Sequence, residues 1–178
     1  MADDDHLTSY DFATKVIDLR YLKLQSGTES IEIEGNFFST ENFGLSLKVV
    51  NGSLGKLGIS TEKFDLKGVL DLNLDIQRSP SDNKLAFNGS IEKFNINDQD
   101  MGTLRFFTSG NTQLNSYELS VLLSNQEQNA LIVNGSILGF DESPKLNLDF
   151  KFDDFDLSFL EPLGGEGIDN IRGRVSGN

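Results

Sequence analysis

The sequence predicts an all-β chain, one long antiparallel sheet that is apolar on one face and curls around that face. Three observations carry this: a recurring glycine-centred strand motif, alternation of period two along almost the whole chain, and turn signals about every 8–14 residues. The motif reads apolar-x-apolar-x-Gly-x-apolar. It stands at Ile31–Phe37, Phe64–Leu70, Leu85–Ile91 and Leu131–Ile137, and Ile171–Val175 repeats its second half. Side chains alternate faces along a strand, so the apolar groups and the glycine of each copy share one side. Glycine inside a strand marks a bend or a close backbone approach, so Gly35, Gly68, Gly89, Gly135 and Gly173 are expected to bend the sheet.

Asn-Gly between alternating apolar residues is also the strongest short-range hairpin signal, and it occurs at Asn88-Gly89 and Asn134-Gly135. The in-strand reading is preferred. Two other copies carry Glu-Gly and Lys-Gly at the same place, and a turn at Asn88 would leave only Lys84 to Phe87 as a strand.

In chain order, residues 1–14 form a polar tail, and 15–178 a single unit. Lys15 to Leu24 is a strand, turned by Gln25–Glu29 into Ser30–Phe38. Phe43, Leu45, Leu47 and Val49 alternate through the next, and Leu54 to Ile59 is irregular. Phe64, Leu66, Gly68, Leu70, Leu72, Leu74 and Ile76 alternate over thirteen residues, long for a strand unless it bends at Gly68. After the loop Ser79–Asn83 come Leu85, Phe87, Gly89 and Ile91, then Phe94 and Ile96. Met101 to Thr108 follows, and then Tyr117, Leu119, Val121 and Leu123. Beyond the loop Asn125–Asn129, Ala130 to Phe140 carries Leu131, Val133 and Ile137 on one face. Leu146, Leu148, Phe150 and Phe152 then alternate with Asn147, Asp149, Lys151 and Asp153. The period breaks once. Asp156 is a suitable N-cap, and Phe159 and Leu163 stand four apart, so 157–163 is expected as a short helix before Gly164-Gly165. About ten strands in a meander are expected.

The composition fits a one-faced core. The chain has 178 residues, 37% of them hydrophobic, with fourteen Phe, no Trp and no Cys. That length is one domain or at most two. No disulfide framework or thiolate metal site is possible. A net charge of −13 opposes phosphate-backbone binding and adsorption to anionic lipid surfaces. There is no signal peptide and no apolar run near 18 residues, and both ends read as cuts, so a piece excised from a longer protein is expected.

Catalytic chemistry is not legible. His6, the only histidine, sits in the polar tail, which leaves no His-dependent triad. Gly52-Ser53-Leu54-Gly55-Lys56 is neither a nucleophile elbow nor a phosphate loop. Asn97–Asp100 and Asp153–Asp156 lack the spacing of an EF-hand loop and read as solvated turns. The Asn-Gly-Ser sequons at Asn51, Asn88 and Asn134 are mostly accounted for by the strand motif. The expectation is a non-enzyme without cofactor or metal, whose one functional feature is the apolar face. The usual fate of such a face is a closed core against a second sheet or within a barrel.

From about Phe94 onward the chain resembles the TamB family, the inner-membrane-anchored periplasmic proteins of the translocation and assembly module. The resemblance lies in the order of Met101-Gly102-Thr103-Leu104, the Leu146–Phe152 alternation, Asp156-Leu157-Ser158-Phe159-Leu160-Glu161-Pro162 and Ile171-Arg172-Gly173-Arg174-Val175-Ser176-Gly177. It implies an open trough, or β-taco, with an apolar interior lined by Leu70, Leu72, Leu74, Ile76, Leu85, Phe87, Ile91, Leu119, Val121, Leu123, Leu131, Val133, Ile137, Leu146, Leu148, Phe150 and Phe152. It implies periplasmic location, with a membrane anchor elsewhere in the protein. It also implies a cargo of phospholipid or of unfolded outer-membrane protein strands, and an outer-membrane barrel of the BamA type as partner. Open edges of the fragment could pair two copies. The competing expectations are a closed β-sandwich binding or adhesion module, and a metal- or carboxylate-dependent hydrolase.

Overall fold

The computed structural model describes residues 8–11, 13, 16–39, 42–58, 60, 64–80, 83–111, 116–125, 128–138, 145–157 and 173–178. They form one antiparallel sheet of eleven strands in strict sequence order, not closed into a barrel. The strands are β1 (Thr8–Asp11), β2 (Val16–Ser26), β3 (Glu29–Ser39), β4 (Asn42–Ser53) and β5 (Leu66–Arg78). They continue as β6 (Asn83–Ile96), β7 (Gln99–Asn111), β8 (Ser116–Asn125), β9 (Gln128–Leu138), β10 (Lys145–Asp156) and β11 (Arg174–Gly177). The irregular stretch after β4 is a 3-10 turn, Leu54–Lys56, and its Leu54, 1% exposed, is the most buried large side chain among the described residues.

Both Asn-Gly pairs lie inside strands. Asn88-Gly89 is in the middle of β6 and Asn134-Gly135 in the middle of β9, each paired on both sides. One boundary differs from the sequence reading. Thr8–Asp11, assigned there to the polar tail, pairs with Val16–Leu19 as an edge strand. Four residues with one aromatic ring give too short an alternation to register as a strand. The expected helix at 157–163 lies, beyond Leu157, outside the described residues.

The register aligns the inward residues into four rows that run across the sheet. The first is Leu45, Ile76, Leu85, Gly110, Tyr117, Ile137 and Leu146. The second is Ile33, Leu47, Leu74, Phe87, Thr108, Leu119, Gly135 and Leu148. The third is Ile31, Val49, Leu72, Gly89, Phe106, Val121, Val133 and Phe150. The fourth is Gly52, Leu70, Ile91, Leu104, Leu123, Leu131 and Phe152.

Just beside or beyond the fourth row the ladder is interrupted in strand after strand. Register shifts fall between Val49 and Gly52, Lys67 and Val69, Ile91 and Phe94, Leu123 and Ser124, and Phe152 and Phe155. Asn51, Gly68, Lys93 and Asp154, within four of these breaks, have φ of 53°, 147°, 51° and 48°. A bulge with a residue at positive φ bends its strand and increases its twist, so a line of bulges folds the sheet along a crease. The core sits in that crease. Val49, Leu70, Ile91 and Leu123 from one side form a single buried cluster with Leu54, Phe94, Met101 and Phe155 from the other.

The motif glycines have a second role besides bending. Of the four in-strand copies, Gly68 sits within a register break of its own strand and Gly35 beside one in the β2–β3 ladder. Gly89 and Gly135 keep unshifted register and make room instead. A Cβ at Gly89 would lie 2.8 Å from the Phe106 ring, and one at Gly135 would lie 2.0 Å from Asn147 O and 2.9 Å from Leu148 Cα. Gly135→Ala is therefore expected to destabilise the chain by about 1–3 kcal/mol through overpacking against backbone. Gly55→Ala, with nothing within 4 Å of the added carbon, is expected to be neutral or slightly stabilising. Denaturant unfolding of both variants at unchanged m-value checks the contrast.

Candidate functional site: the apolar inner wall

The inner wall follows from strand alternation plus register. Each strand from β3 to β10 places its apolar residues on one side, and antiparallel pairing stacks them into the four rows. All seventeen residues expected from the sequence to line a trough stand in these rows. Leu70, Ile91, Leu123 and Val133 are buried. Leu72, Leu74, Ile76, Leu85, Phe87, Leu119, Val121, Leu131, Ile137, Leu148 and Phe152 are half-buried. Leu146 and Phe150 are exposed, at 63% and 46%. Buried residues are densest in the fourth row, but Val49 and Val133 of the third, Thr108 of the second and Tyr117 of the first are buried too, so the accessible wall is the half-buried and exposed remainder of the first three rows.

Of the expected strand-bending glycines, Gly68 occupies a bulge and Gly173, with φ of 130°, precedes β11. Gly35 faces Leu45, Gly89 faces Phe106 and Gly135 faces Leu148 in regular pairing. Other members of the wall are Leu45, Leu47, Val49, Ile31, Ile33, Leu104 and Phe106. Leu45, Leu47 and Val49 alternate as plainly as the later strands, which is signal enough. β7 gives little, because Thr108 and Gly110 stand where apolar residues would complete its pattern.

The wall presents almost no hydrogen-bonding chemistry. Across the four rows from β4 to β10 only Thr108 and Tyr117 carry a polar side-chain atom, and they are 3% and 4% exposed. The Thr108 hydroxyl donates to the Glu118 carbonyl within the sheet. Tyr117 packs its ring over Gly110, and burial pushes its phenol above its ordinary pKa. The wall's backbone groups are used by the ladder on both sides.

Polar groups sit on the outer face and at the strand ends. Asn73 Nδ2 donates to Asn88 Oδ1 at 3.4 Å, and Ser120 Oγ donates to Asn134 Oδ1 at 2.8 Å. Lys23 and Glu32 pair at 2.8 Å, and the bond from Lys23 holds the Glu32 carboxyl below its ordinary pKa. Lys67 bridges Asp65 at 3.0 Å and Asp98 at 2.6 Å, which lowers the Asp98 pKa. Near the β2 end of the third row a pocket of about 270 Å³ opens between Leu24, Ile31, Leu57 and the Lys56–Glu29 ion pair.

No cluster of three or more metal-ligating side chains occurs among the described residues, and no described helix is long and apolar enough to cross a membrane. No protein-family model, curated protein or solved structure matches the chain.

The gradient of burial separates two classes of substitution. Leu85→Asp, on the accessible first row, is expected to leave the fold intact while reducing binding of an apolar fluorescent probe severalfold. Ile91→Asp, in the crease, places a carboxylate in the core and is expected to unfold the chain. Circular dichroism and probe titration of both variants distinguish an accessible wall from an ordinary closed core, in which both would unfold.

Proposed function

We propose that this chain is a non-catalytic trough segment of a TamB-like periplasmic protein, whose inner wall carries the acyl chains of phospholipid through water between two membranes. One observation carries the reading: the three outer rows from β4 to β10 are almost wholly apolar, most of their residues keep some exposure, and they offer a cargo hydrocarbon contact with almost no hydrogen bonds. Transfer of each CH₂ from water to such a surface gains about 0.8 kcal/mol. An acyl chain has no polar group to leave unsatisfied, and its headgroup can remain in solvent beyond the open rim. The mechanism is physical, since the wall only lowers the cost of moving hydrocarbon across an aqueous gap.

An extended polypeptide fits the same wall less well. Its backbone N–H and C=O groups would face apolar side chains and lose their hydrogen bonds to water. A second reading is the shielding of outer-membrane protein strands, whose alternating apolar side chains could lie against the rows. In either role the outer-membrane barrel is reached through the rest of a longer protein.

The test is photo-crosslinking in cells from a probe residue at position 148, where Leu148 is half-buried in the second row, with a probe at the outward Lys151 as control. Phospholipid captured at 148 and not at 151 is the expected result. Capture of a barrel precursor would transfer the assignment to the second reading. Silence at both positions would overturn both and make the wall sealed core.

A further inference from the structure

The outward residues of the central strands converge on a second site, on the face opposite the wall. Register sets Asp71 opposite Ser90 and Ser90 opposite Arg105, and in the next outward row Asn73 opposite Asn88 and Asn88 opposite Phe107. Between these two short rows lies a groove of about 520 Å³, floored by the backbone of Gly89 and Phe106, whose side-chain positions belong to the wall. That volume is within the ordinary range of small-molecule sites, about 300–1,000 Å³. The groove extends from β5 to β8, roughly 14 Å at the usual strand spacing.

The groove collects polar groups that the fold does not use. Arg105 is exposed and has no hydrogen bond or ion pair among the described residues, in a chain with 28 Asp and Glu. The Ser90 hydroxyl likewise has no protein partner among them. Asn73 Nδ2 donates to Asn88 Oδ1 at 3.4 Å, which leaves the Asn88 amide N–H groups and the Asn73 carbonyl unused. Asp71 Oδ1 accepts from the Asn51 N–H at 3.0 Å, at the bulge of β4, so its carboxylate is held in place while Oδ2 stays available. Acceptors on β5 thus face donors on β6 and β7. Among them Phe107 turns an apolar ring to solvent, 45% exposed.

A ligand that matches this groove must carry closely spaced hydroxyls together with an apolar face. Sugar rings have both. A hydroxyl donates to a carboxylate or amide oxygen and accepts from an amide or guanidinium N–H, and the C–H side of a sugar ring can cover an aromatic face. Other classes fit less well. A peptide strand needs an open sheet edge, and these four strands are paired on both sides. A polyanion would meet Asp71 beside Arg105 and a net charge of −13. An acyl chain would strip water from the carboxylate and guanidinium without replacing it. We propose that this groove binds an uncharged oligosaccharide, with Phe107 as the stacking platform and Arg105, Asn88 and Asp71 as the hydrogen-bonding groups. The site lies on the other face of the sheet and does not depend on what the wall carries.

Calorimetric titration of the whole chain with cellohexaose, maltohexaose and N-acetylchitohexaose tests this. At least one of the three is expected to bind with a micromolar to millimolar constant. Phe107→Ala is expected to weaken that binding at least about tenfold, and Arg105→Ala and Asn88→Ala severalfold each. All three side chains are exposed, so circular dichroism of these variants is expected to match the wild type. Lys151→Ala, outward on β10, and Leu85→Asp, on the wall, are expected to bind as the wild type does, so a failure of the lipid reading leaves this result standing. No heat from any of the three sugars well into the millimolar range would overturn the proposal. So would binding that survives both Phe107→Ala and Arg105→Ala, or an equal loss in Lys151→Ala.

Discussion

The structure depends on where its ladder breaks. A continuous antiparallel sheet of this width would twist but leave one greasy face open to water along its whole length. Bulges in β4, β5, β6 and β10 interrupt pairing at nearly the same distance along each strand, and the sheet folds there. Folding brings Phe94, Met101 and Phe155 onto Leu70, Ile91 and Leu123. The crease is therefore both the hydrophobic core and the device that gives the sheet an inside. Without the shifts the same side chains would form a flat apolar surface, and the chain would have neither a core nor a wall to line.

Along the rows, space is matched strand by strand. A one-layered sheet has no facing layer to fill a gap, so a missing side chain must be compensated by a neighbour in the same layer. Phe106 leans over Gly89 and Tyr117 over Gly110, and Phe87 and Phe106 meet with ring centroids 5.9 Å apart. The motif glycines recur at irregular intervals of 33, 21, 46 and 38 residues, and each meets a different neighbour. Gly35 and Gly135 answer to the close approach of the neighbouring strand's backbone, Gly68 to the Ile91 side chain, and Gly89 to both backbone and the Phe106 ring.

The sequence showed the strands, the meander and the apolar rows because alternation is local and strong from Phe64 to Phe152. It also resolved the two Asn-Gly pairs correctly, through the copies that lack a turn signal. Of the crease only the bend at Gly68 was legible. Three of its bends use Asn51, Lys93 and Asp154 at positive φ, and a lysine in a left-handed conformation has no sequence signature; it is imposed by register with two neighbours. Nor could periodicity distinguish Leu70 from Leu146. Both alternate alike, yet one is 8% and the other 63% exposed, because exposure depends on distance from a fold line and from the sheet edge. β1 was missed for the opposite reason, since four residues carry too little pattern.

The chemistry of the sheet is divided by position, and this bears on the choice of cargo. Backbone donors and acceptors on the wall are consumed by the two neighbouring strands, so what lies against the wall can be held only by hydrocarbon contact. Unused backbone groups occur at the edges, where a strand has one neighbour. A molecule without hydrogen-bonding groups along its length is suited to the wall, and an extended chain with a full set of them is suited to an edge. The two families of ligand considered for such a trough therefore need not compete for one site.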